Sequence, residues 1–307
     1  DRAPQGGYTV LVTPHLVRSP HPSHDLAAYR FIKHLVRSTT PDVVHTHSSK
    51  AGILGRAAAW KTKLRTQNSE LRTHDSELST PSTPLVLHTI HGLPFHPYQR
   101  AAANRLWIAL ERWAARRCDA IICVADAMTR QALAAGVGRP DLFTTIYSGM
   151  DVHPFLSPGT TRADIRQRLN IPANAFVFGT IARLQPLKGH DDLLAGAADL
   201  FAAIPDAHLL WIGDGVFRAR FEQLIRDRSW QNRITLAGLV PPTEVPRLLP
   251  AMDVLVHPSY REGLARALPQ ALLAAVPVIS YDCDGAAEVC LENQTGYLVK
   301  TGDASAL

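Results

Sequence analysis

The fold is indicated most clearly by the stretch Phe176-Val-Phe-Gly-Thr-Ile-Ala-Arg-Leu-Gln-Pro-Leu-Lys-Gly-His190. Its first six residues are an apolar, β-branched run of the kind that forms a buried parallel strand. Helical periodicity then extends from 190 to 201, with acids in the first turn. Arg183 and Lys188 therefore follow a strand and precede a helix, which is where open α/β sheets bind ligands. The stretch indicates one half of a ligand site.

Arg183 and Lys188 have the chemistry of a diphosphate site. A diphosphate at this point would meet two cations and the free N–H groups of a helix N-terminus, which neutralise a charged leaving group without a metal. For an isolated arginine and lysine at this spacing, two solvated surface cations are the simpler interpretation. A second loop, farther along the chain, favours the ligand site.

This second loop lies between a strand over 253–258 and a helix over 270–275. Pro269 fits only the first turn of that helix, because proline lacks an N–H. Glu262 enters the loop as a bare carboxylate that can accept hydrogen bonds from sugar hydroxyls, and the amides after Gly263 can approach a phosphate closely. Taken alone, Glu262 could be a surface acid. Two such loops in one domain predict a single shared ligand.

Strands alternate with helices along the chain, which predicts an α/β fold of two doubly wound, Rossmann-like parallel sheets. We expect strands near residues 8–13, 42–46, 85–90, 120–124, 143–147, 176–181, 207–212, 233–237, 253–257, 277–281 and 297–299. Pro and Gly punctuation between Ser148 and Pro158 is typical of a linker and predicts domains 1–150 and 151–307. The expected site is a cleft between the two domains.

Both ends of the chain and one internal segment depart from this alternation. Tyr8 to Val12 resembles a second strand, so a first β-loop-α unit is expected to be missing, and closing helices are expected to be missing after residue 299. A polar stretch over 61–84 contains a short internal repeat, in which residues 64–70 resemble residues 71–77. It predicts an exposed insertion between a helix and a strand.

Composition limits the class of protein only loosely. A chain of 307 residues with 46% hydrophobic content can form two cores, and a net charge of +5 suits anionic partners of several kinds. No recognised helix or aromatic platform supports nucleic-acid binding, and no apolar run reaches transmembrane length. The sequence has four cysteines without a CxxC pair: Cys118, Cys123, Cys283 and Cys290. This pattern predicts reduced, buried thiols in a cytoplasmic protein.

Histidines gather at the ends of two strands in the first half. His45 and His47 share a strand face, and His88 and His91 end another strand. Zinc is one alternative, but the usual carboxylates are not close in sequence and nothing in the sequence brings the two pairs together. A structural histidine is a second alternative for His91. The favoured interpretation places His91 at the cleft, facing the ligand.

The segment from Asn104 to Arg117 combines apolar and cationic side chains at helical spacing: Leu106, Trp107, Leu110 and Trp113 with Arg105, Arg112, Arg116 and Arg117. Such a stripe predicts a core face backed by solvated cations. Peripheral contact with the inner face of a membrane is an alternative, which a lipid-linked acceptor would favour.

The order of several short segments resembles that of a known family. The segments are Asp42-Val-Val-His-Thr-His47, His88-Thr-Ile-His-Gly92, Ser148-Gly-Met-Asp151, Gly179 to Gly189, Gly213-Asp-Gly215 and Glu262 to Ile279. In this order they resemble the family-4 retaining glycosyltransferases of the GT-B fold. The resemblance spans nearly the whole chain, and the order and spacing are more specific than any single string.

The resemblance implies transfer of a sugar from a nucleoside diphosphate sugar, with UDP favoured, to a hydroxyl of a glycan or lipid-linked acceptor. Retention at the anomeric carbon and independence of metals and other cofactors are implied with it. The implied catalytic residues are His91, Glu262, Arg183 and Lys188. The implied donor-binding residues are Gly179, Arg183, Lys188, Gly213, Asp214, Gly215, Glu262, Gly263, Leu264 and Gln270. The implied acceptor-side residues are His47, Ser48 and Lys50.

Gln270 departs from the family pattern, which has a second glutamate there for the ribose hydroxyls. Glutamine keeps one acceptor oxygen without a charge, so weaker nucleotide binding is expected. Asp282-Cys-Asp284 resembles the metal–diphosphate motif of the other large glycosyltransferase fold, but we interpret it as loop and cap chemistry. A nucleotide-sugar 2-epimerase and a non-catalytic nucleotide-sugar-binding protein remain alternatives. Incubating the donor with and without an acceptor separates the epimerase from a transferase.

Overall fold

The computed structural model describes residues 8–13, 15–17, 19, 21–70 and 83–307, with the backbone alone for 65–70. The chain divides into two compact units, Asp1–Ile146 and Tyr147–Leu307. Each unit is built on a parallel β-sheet with helices in its crossovers, as the alternating pattern predicts. Among the described helices, none combines the length and the apolar character needed to span a bilayer.

The first unit contains a sheet of four parallel strands in chain order. Its strands are β1 (Val43–His47), β2 (Leu85–Ile90), β3 (Ala120–Cys123) and β4 (Phe143–Thr145); its helices are α1 (Pro22–Thr39), α2 (Ser49–Glu70), α3 (Ala101–Ala115) and α4 (Asp126–Ala134), with a 3-10 turn over Pro140–Leu142. His47, the last residue of β1, is in register with Thr89 of β2. The carboxyl ends of these two strands therefore lie side by side.

The structure corrects two expectations for this unit. Residues 8–12 belong to no described sheet and Val12 is 82% exposed, because an apolar run becomes a strand only where a neighbouring strand takes its backbone hydrogen bonds. The predicted insertion was expected to begin at residue 61, but α2 continues to Glu70. Lysine, arginine, glutamine and glutamate are good helix formers, so polarity alone does not end a helix. The remainder of that insertion, 71–82, lies outside the described residues.

A buried ion pair joins α2 to α3. Arg56 is fully buried; its Nη2 donates to Oε2 of Glu111 at 2.7 Å and its Nε donates to the carbonyl oxygen of Gly52 at 3.1 Å. Glu111 is also buried. Each charge is tolerated in the interior because the other neutralises it.

The second unit contains a six-stranded parallel sheet. Its strands are β5 (Phe176–Ile181), β6 (Ala207–Ile212), β7 (Ile234–Gly238), β8 (Val254–His257), β9 (Val278–Asp282) and β10 (Gly296–Lys300); its helices are α5 (His153–Leu156), α6 (Arg162–Arg168), α7 (His190–Ala203), α8 (Arg218–Asp227), α9 (Val245–Leu248) and α10 (Ala267–Leu273), with 3-10 turns over Leu249–Ala251 and Ala286–Glu288.

The strand order β10-β9-β8-β5-β6-β7 places a topological switch point between β5 and β8. The chain runs outward from β5 to β7, returns to β8 beside β5, and then runs outward in the other direction. The helices that follow β5 and β8, α7 and α10, therefore pack on opposite faces of the sheet. The crevice at such a switch point is where open α/β sheets bind ligands.

Apolar cores cover both faces of this sheet. Leu210 contributes to a core with Leu255 and Leu268, while the next residue, Trp211, contributes to another with Phe221. Successive residues of a strand point to opposite faces, so the two cores lie on opposite sides of β6. All six residues of β6 are buried, as expected for a central parallel strand.

Three buried histidines make stability depend on pH. Burial lowers the pKa of His88 to about 3, and it lowers the pKa values of His190 and His208 to about 4. The unfolded chain binds these protons below about pH 6.5, whereas the folded chain does not. Their stabilising contribution is therefore complete above that pH and is lost as the pH falls towards 4. At pH 5 the loss is about 2 kcal/mol for each histidine.

His208→Gln is expected to reduce this acid sensitivity. Nε2 of His208 lies 2.8 Å from the hydroxyl of Thr235, and glutamine can keep a hydrogen bond there without titrating. The free energy of unfolding, measured in urea, should fall between pH 7 and pH 5 by about 2 kcal/mol less in the variant than in the unmodified chain. His153→Gln, at an exposed position, should retain the original pH dependence. If the free energy of unfolding falls equally in His208→Gln and the unmodified chain, His208 is not a source of the acid sensitivity.

Candidate functional site

The loops that follow β5 and β8 touch at the switch point. The backbone N–H of Tyr260 donates to the carbonyl oxygen of Leu187 at 3.0 Å, and Oγ of Ser259 donates to the same oxygen at 3.2 Å. Gly189, which precedes α7, has a left-handed φ of 72°, and a Cβ there would lie 1.9 Å from the carbonyl oxygen of Pro258. Only glycine permits this approach.

Lys188 and Glu262 form an ion pair across the two loops. Nζ of Lys188 donates to Oε1 of Glu262 and, at 3.4 Å, to Oγ of Ser259. Nε2 of His257 lies 3.3 Å from the same carboxylate oxygen, without hydrogen-bond geometry. Oε2 of Glu262 accepts no hydrogen bond within the described part of the chain. This oxygen is therefore available to a ligand hydroxyl.

Glu262 is a carboxylate at neutral pH. Burial raises the pKa of its carboxyl group, but the neighbouring His257 and Lys188 outweigh burial and lower the pKa to about 2. A carboxylate accepts hydrogen bonds only, so the group is suited to hydroxyl donors.

The loop after β6 supports the loop that carries Arg183. The N–H of Leu184 donates to the carbonyl oxygen of Asp214 at 3.0 Å. A Cβ on Gly213 or Gly215 would lie 2.1 or 2.4 Å from a carbonyl oxygen of the Arg183 loop, so close backbone approach requires both glycines. The Arg183 side chain is exposed and forms no ion pair within the described residues. Its guanidinium can take an anion.

The N-terminus of α7 lies directly after Lys188 in the chain and has no side-chain cap. The acids of its first turn are engaged elsewhere: Asp191 pairs with Arg220 at 2.6 Å, and Asp192 accepts hydrogen bonds from the hydroxyls of Tyr260 and Tyr281, each at 2.7 Å. Uncapped N–H groups and the positive end of the helix dipole favour an anion at this point.

The other predicted donor-binding residues lie in β5, in the loop that carries Glu262, and in α10. Gly179 lies inside β5, where a Cβ would meet Sδ of Met252 at 2.0 Å, so packing accounts for this glycine. The carbonyl oxygen of Gly263 accepts from Gly285 at 3.1 Å, and Leu264 is half-buried in the same loop. Gln270 lies in α10, which begins three residues before the predicted start. Its side chain forms no hydrogen bond within the described part of the chain.

In the first unit, His47 and His91 meet at the carboxyl ends of β1 and β2. Nδ1 of His47 lies 3.0 Å from Nε2 of His91, and the stacked rings have centroids 5.3 Å apart. The ring of His45 lies 4.3 Å from that of His47, so the structure brings together histidines that the sequence did not connect. Partial burial, and then the neighbouring His47, lower the pKa of His91. His91 is therefore a neutral imidazole at pH 7.

Ser48 and Lys50, at the start of α2, differ in what they can offer a ligand. Ser48 is exposed, with a left-handed φ of 61°. Nζ of Lys50 donates to the carbonyl oxygens of Val17 and Ser19 at 2.8 and 2.6 Å and pairs with Asp25. These three contacts use all the donors of an ammonium group, so a structural role accounts for Lys50.

Two residues beside Glu262 were not predicted as site residues. His257 ends β8, and a polar side chain at the end of a buried strand was a signal for it. Oδ2 of Asp284 accepts from the backbone N–H of Glu262 at 2.6 Å and so holds the Glu262 loop. This contact agrees with the interpretation of Asp284 as loop chemistry.

Two family models match nearly the whole chain: Glycosyltransferase Family 4 over residues 1–153 and Glycosyl transferases group 1 over residues 161–307. The chain is also similar to the UDP-Gal:alpha-D-GlcNAc-diphosphoundecaprenol alpha-1,3-galactosyltransferase of Escherichia coli. The two are 27% identical over 294 residues, which cover 94% of this chain and 70% of that protein.

Solved structures share the architecture. Anabaena Alr3699/HepE in complex with UDP-glucose superposes with a TM-score of 0.69 at 23% identity, covering 90% of this chain and 69% of that one. Sucrose-phosphate synthase from Thermosynechococcus elongatus gives a TM-score of 0.73 at 23% identity, covering 95% of this chain and 69% of that one. The predicted GT-B fold is confirmed. The chain belongs to the family-4 glycosyltransferases of the GT-B fold.

Proposed function

We propose that the chain transfers a sugar from a UDP-sugar to a hydroxyl of a glycan or lipid-linked acceptor, with retention at the anomeric carbon and without a metal ion. The contact between Lys188 and Glu262 at the switch point carries this proposal. It joins a loop suited to a diphosphate with a carboxylate suited to sugar hydroxyls. A nucleoside diphosphate sugar contains both groups in one molecule.

Cations stabilise the leaving group in this proposal. As the glycosidic bond breaks, negative charge grows on the diphosphate, and Arg183, Lys188 and the N-terminus of α7 stabilise this charge more than they stabilise the ground state. Lys188 uses two of its three donors on Glu262 and Ser259, so one donor remains for a phosphate oxygen. The charge is thus neutralised by protein groups alone.

Glu262 orients the transferred sugar, because its Oε2 accepts a hydrogen bond from a sugar hydroxyl. In the first unit, neutral His91, held by His47, can donate to or accept from a hydroxyl. An oxygen of the leaving phosphate accepts the proton of the acceptor hydroxyl, so the reaction needs no dedicated protein base. Gln270 takes the ribose hydroxyls through its single amide oxygen.

The donor and acceptor classes are supported by the relatives. The Anabaena structure holds UDP-glucose, and the Escherichia coli enzyme uses UDP-Gal and a diphosphoundecaprenol acceptor. The four cysteines are unpaired and buried, which suits a reducing compartment. We therefore place the reaction in the cytoplasm, at the inner face of the membrane when the acceptor is lipid-linked.

A thermal-shift series with UDP, GDP and ADP, followed by a turnover assay, tests the proposal. UDP should raise the melting temperature more than GDP or ADP. Release of UDP from UDP-glucose, UDP-galactose or UDP-N-acetylglucosamine should depend on an acceptor, should persist in EDTA, and should give a product with the donor's anomeric configuration by NMR. No stabilisation by any nucleotide, or turnover without an acceptor, would overturn the proposal.

Gln270→Glu is expected to tighten UDP binding by about tenfold, because a carboxylate makes charge-assisted hydrogen bonds to a ribose diol where the amide makes neutral ones. Titration calorimetry with UDP measures the change. Gln167→Glu introduces the same charge at an exposed position of α6 and should leave the Kd unchanged. Unchanged or weaker affinity in Gln270→Glu would remove Gln270 from the ribose site.

A further inference from the structure

The outer face of α3 carries two adjacent rows of exposed side chains. One row is apolar and the other is cationic: Ala102, Leu106, Ala109 and Trp113 form the first, and Arg105, Arg112 and Arg116 form the second. The residues of each row are separated by three, four or seven positions, so each row runs along one side of the helix. The opposite face, with Glu111 and Ala114, is buried.

The charge on this face is all of one sign. Residues 98–117 contain five arginines and a single acid, Glu111. Glu111 points inward and is neutralised by buried Arg56, so it does not offset the outer arginines. The cationic row therefore presents an uncompensated positive stripe, which attracts a negatively charged partner.

Two large apolar side chains lie beside this stripe. Leu106 is 59% exposed and Trp113 is 39% exposed. The guanidinium of Arg117 lies 3.8 Å from the centre of the Trp113 ring and donates to the Trp113 carbonyl oxygen, which holds the indole at the surface. A single exposed leucine needs no explanation, but an exposed leucine and tryptophan next to a row of arginines match an interfacial membrane helix.

Nucleic acid fits the same face less well. Arginines can contact the phosphates of either partner, and arginine also reads guanine edges. The exposed Leu106 and Trp113 decide for the bilayer, because its interface offers them apolar surroundings and a phosphate backbone does not. The one amide side chain of the helix, Asn104, is held by the backbone of His96 at 3.0 and 2.8 Å.

We propose that the outer face of α3 docks on a bilayer that contains anionic phospholipids. Arg105, Arg112 and Arg116 contact lipid phosphates, while Leu106 and Trp113 enter the interface between headgroups and acyl chains. This surface belongs to the first unit and acts independently of the proposed reaction, because it needs neither donor nor acceptor.

Vesicle co-sedimentation tests the docking surface. Vesicles of phosphatidylcholine with phosphatidylglycerol should bind the chain, binding should weaken as NaCl rises, and phosphatidylcholine alone should bind at least about tenfold more weakly. Arg105→Glu/Arg116→Glu should lower binding to the anionic vesicles by at least about tenfold. Arg226→Glu/Arg228→Glu, which reverses two exposed arginines of the second unit, changes net charge equally and should bind as the unmodified chain does.

Tryptophan quenching supplies a second measurement that does not depend on charge reversal. Brominated lipids should quench the fluorescence of the bound chain, and Trp113→Phe should remove most of that quenching while the circular dichroism spectrum stays unchanged. Equal binding to neutral vesicles, equal losses of binding in the two double variants, or undiminished quenching in Trp113→Phe would overturn the proposal. Binding to duplex DNA with no binding to anionic vesicles would overturn it as well.

Discussion

Lys188→Ala is expected to lower donor-dependent sugar transfer by about 100-fold or more while the fold survives. The substitution removes a cation from the leaving diphosphate and also removes the partner that holds Oε1 of Glu262. Both effects act where charge develops during the reaction, so the loss appears in kcat as well as in donor binding. Initial rates of UDP release at saturating acceptor measure the effect.

Lys300→Ala is the matched control for Lys188→Ala, because Lys300 is an exposed lysine at the end of β10 in the same unit. It should retain the rate of the unmodified chain. Near-normal rates in Lys188→Ala, with an intact circular dichroism spectrum, would exclude Lys188 from the diphosphate site.

Arg56→Met is expected to destabilise the first unit by about 3–5 kcal/mol, because it leaves the carboxylate of Glu111 buried without a partner. In the double variant Arg56→Met/Glu111→Leu, the second substitution removes that charge and should restore most of the lost free energy of unfolding. Hydrogen exchange measured on separate peptides reports the effect unit by unit.

Peptides from α2 and α3 should lose protection in Arg56→Met, whereas peptides from α7 and α8 in the second unit should exchange as before and serve as an internal control. If α2 and α3 retain full protection in the single variant, or if the double variant is no more stable than the single one, the buried pair does not have the energetic role assigned to it.

The centre of the sheet of the second unit was predictable because β5, β6 and β8 are short, mainly apolar runs, a pattern that is typical of buried parallel strands. Lys188 and Glu262 were predictable for the same reason: each follows such a run, and the carboxyl ends of neighbouring parallel strands share an edge. Their direct contact required knowledge of the strand order, which brings β8 back beside β5. No local pattern in the sequence fixes that order.

Other features depend on contacts between distant segments. The sequence predicts Lys50 as an acceptor-side residue. In the structure its three donors are used by the carbonyl oxygens of Val17 and Ser19 and by the carboxylate of Asp25, which accounts for Lys50 as a structural residue. Helical spacing indicated a stripe in α3 but not which of its residues face outward; Leu106 is exposed while Leu110 is half-buried. The run over 8–12 failed as a strand because its apolar pattern cannot supply a hydrogen-bonding neighbour.

In the proposed function, the loops after β5 and β8 form one site for a uridine diphosphate sugar. Titration calorimetry of UDP into the unmodified chain, Arg183→Ala and Arg226→Ala is the sharpest test of this site. UDP should bind the unmodified chain and Arg226→Ala equally well, and Arg183→Ala should raise the Kd by at least about tenfold. Equal affinity in Arg183→Ala and the unmodified chain would disprove a diphosphate site at these loops.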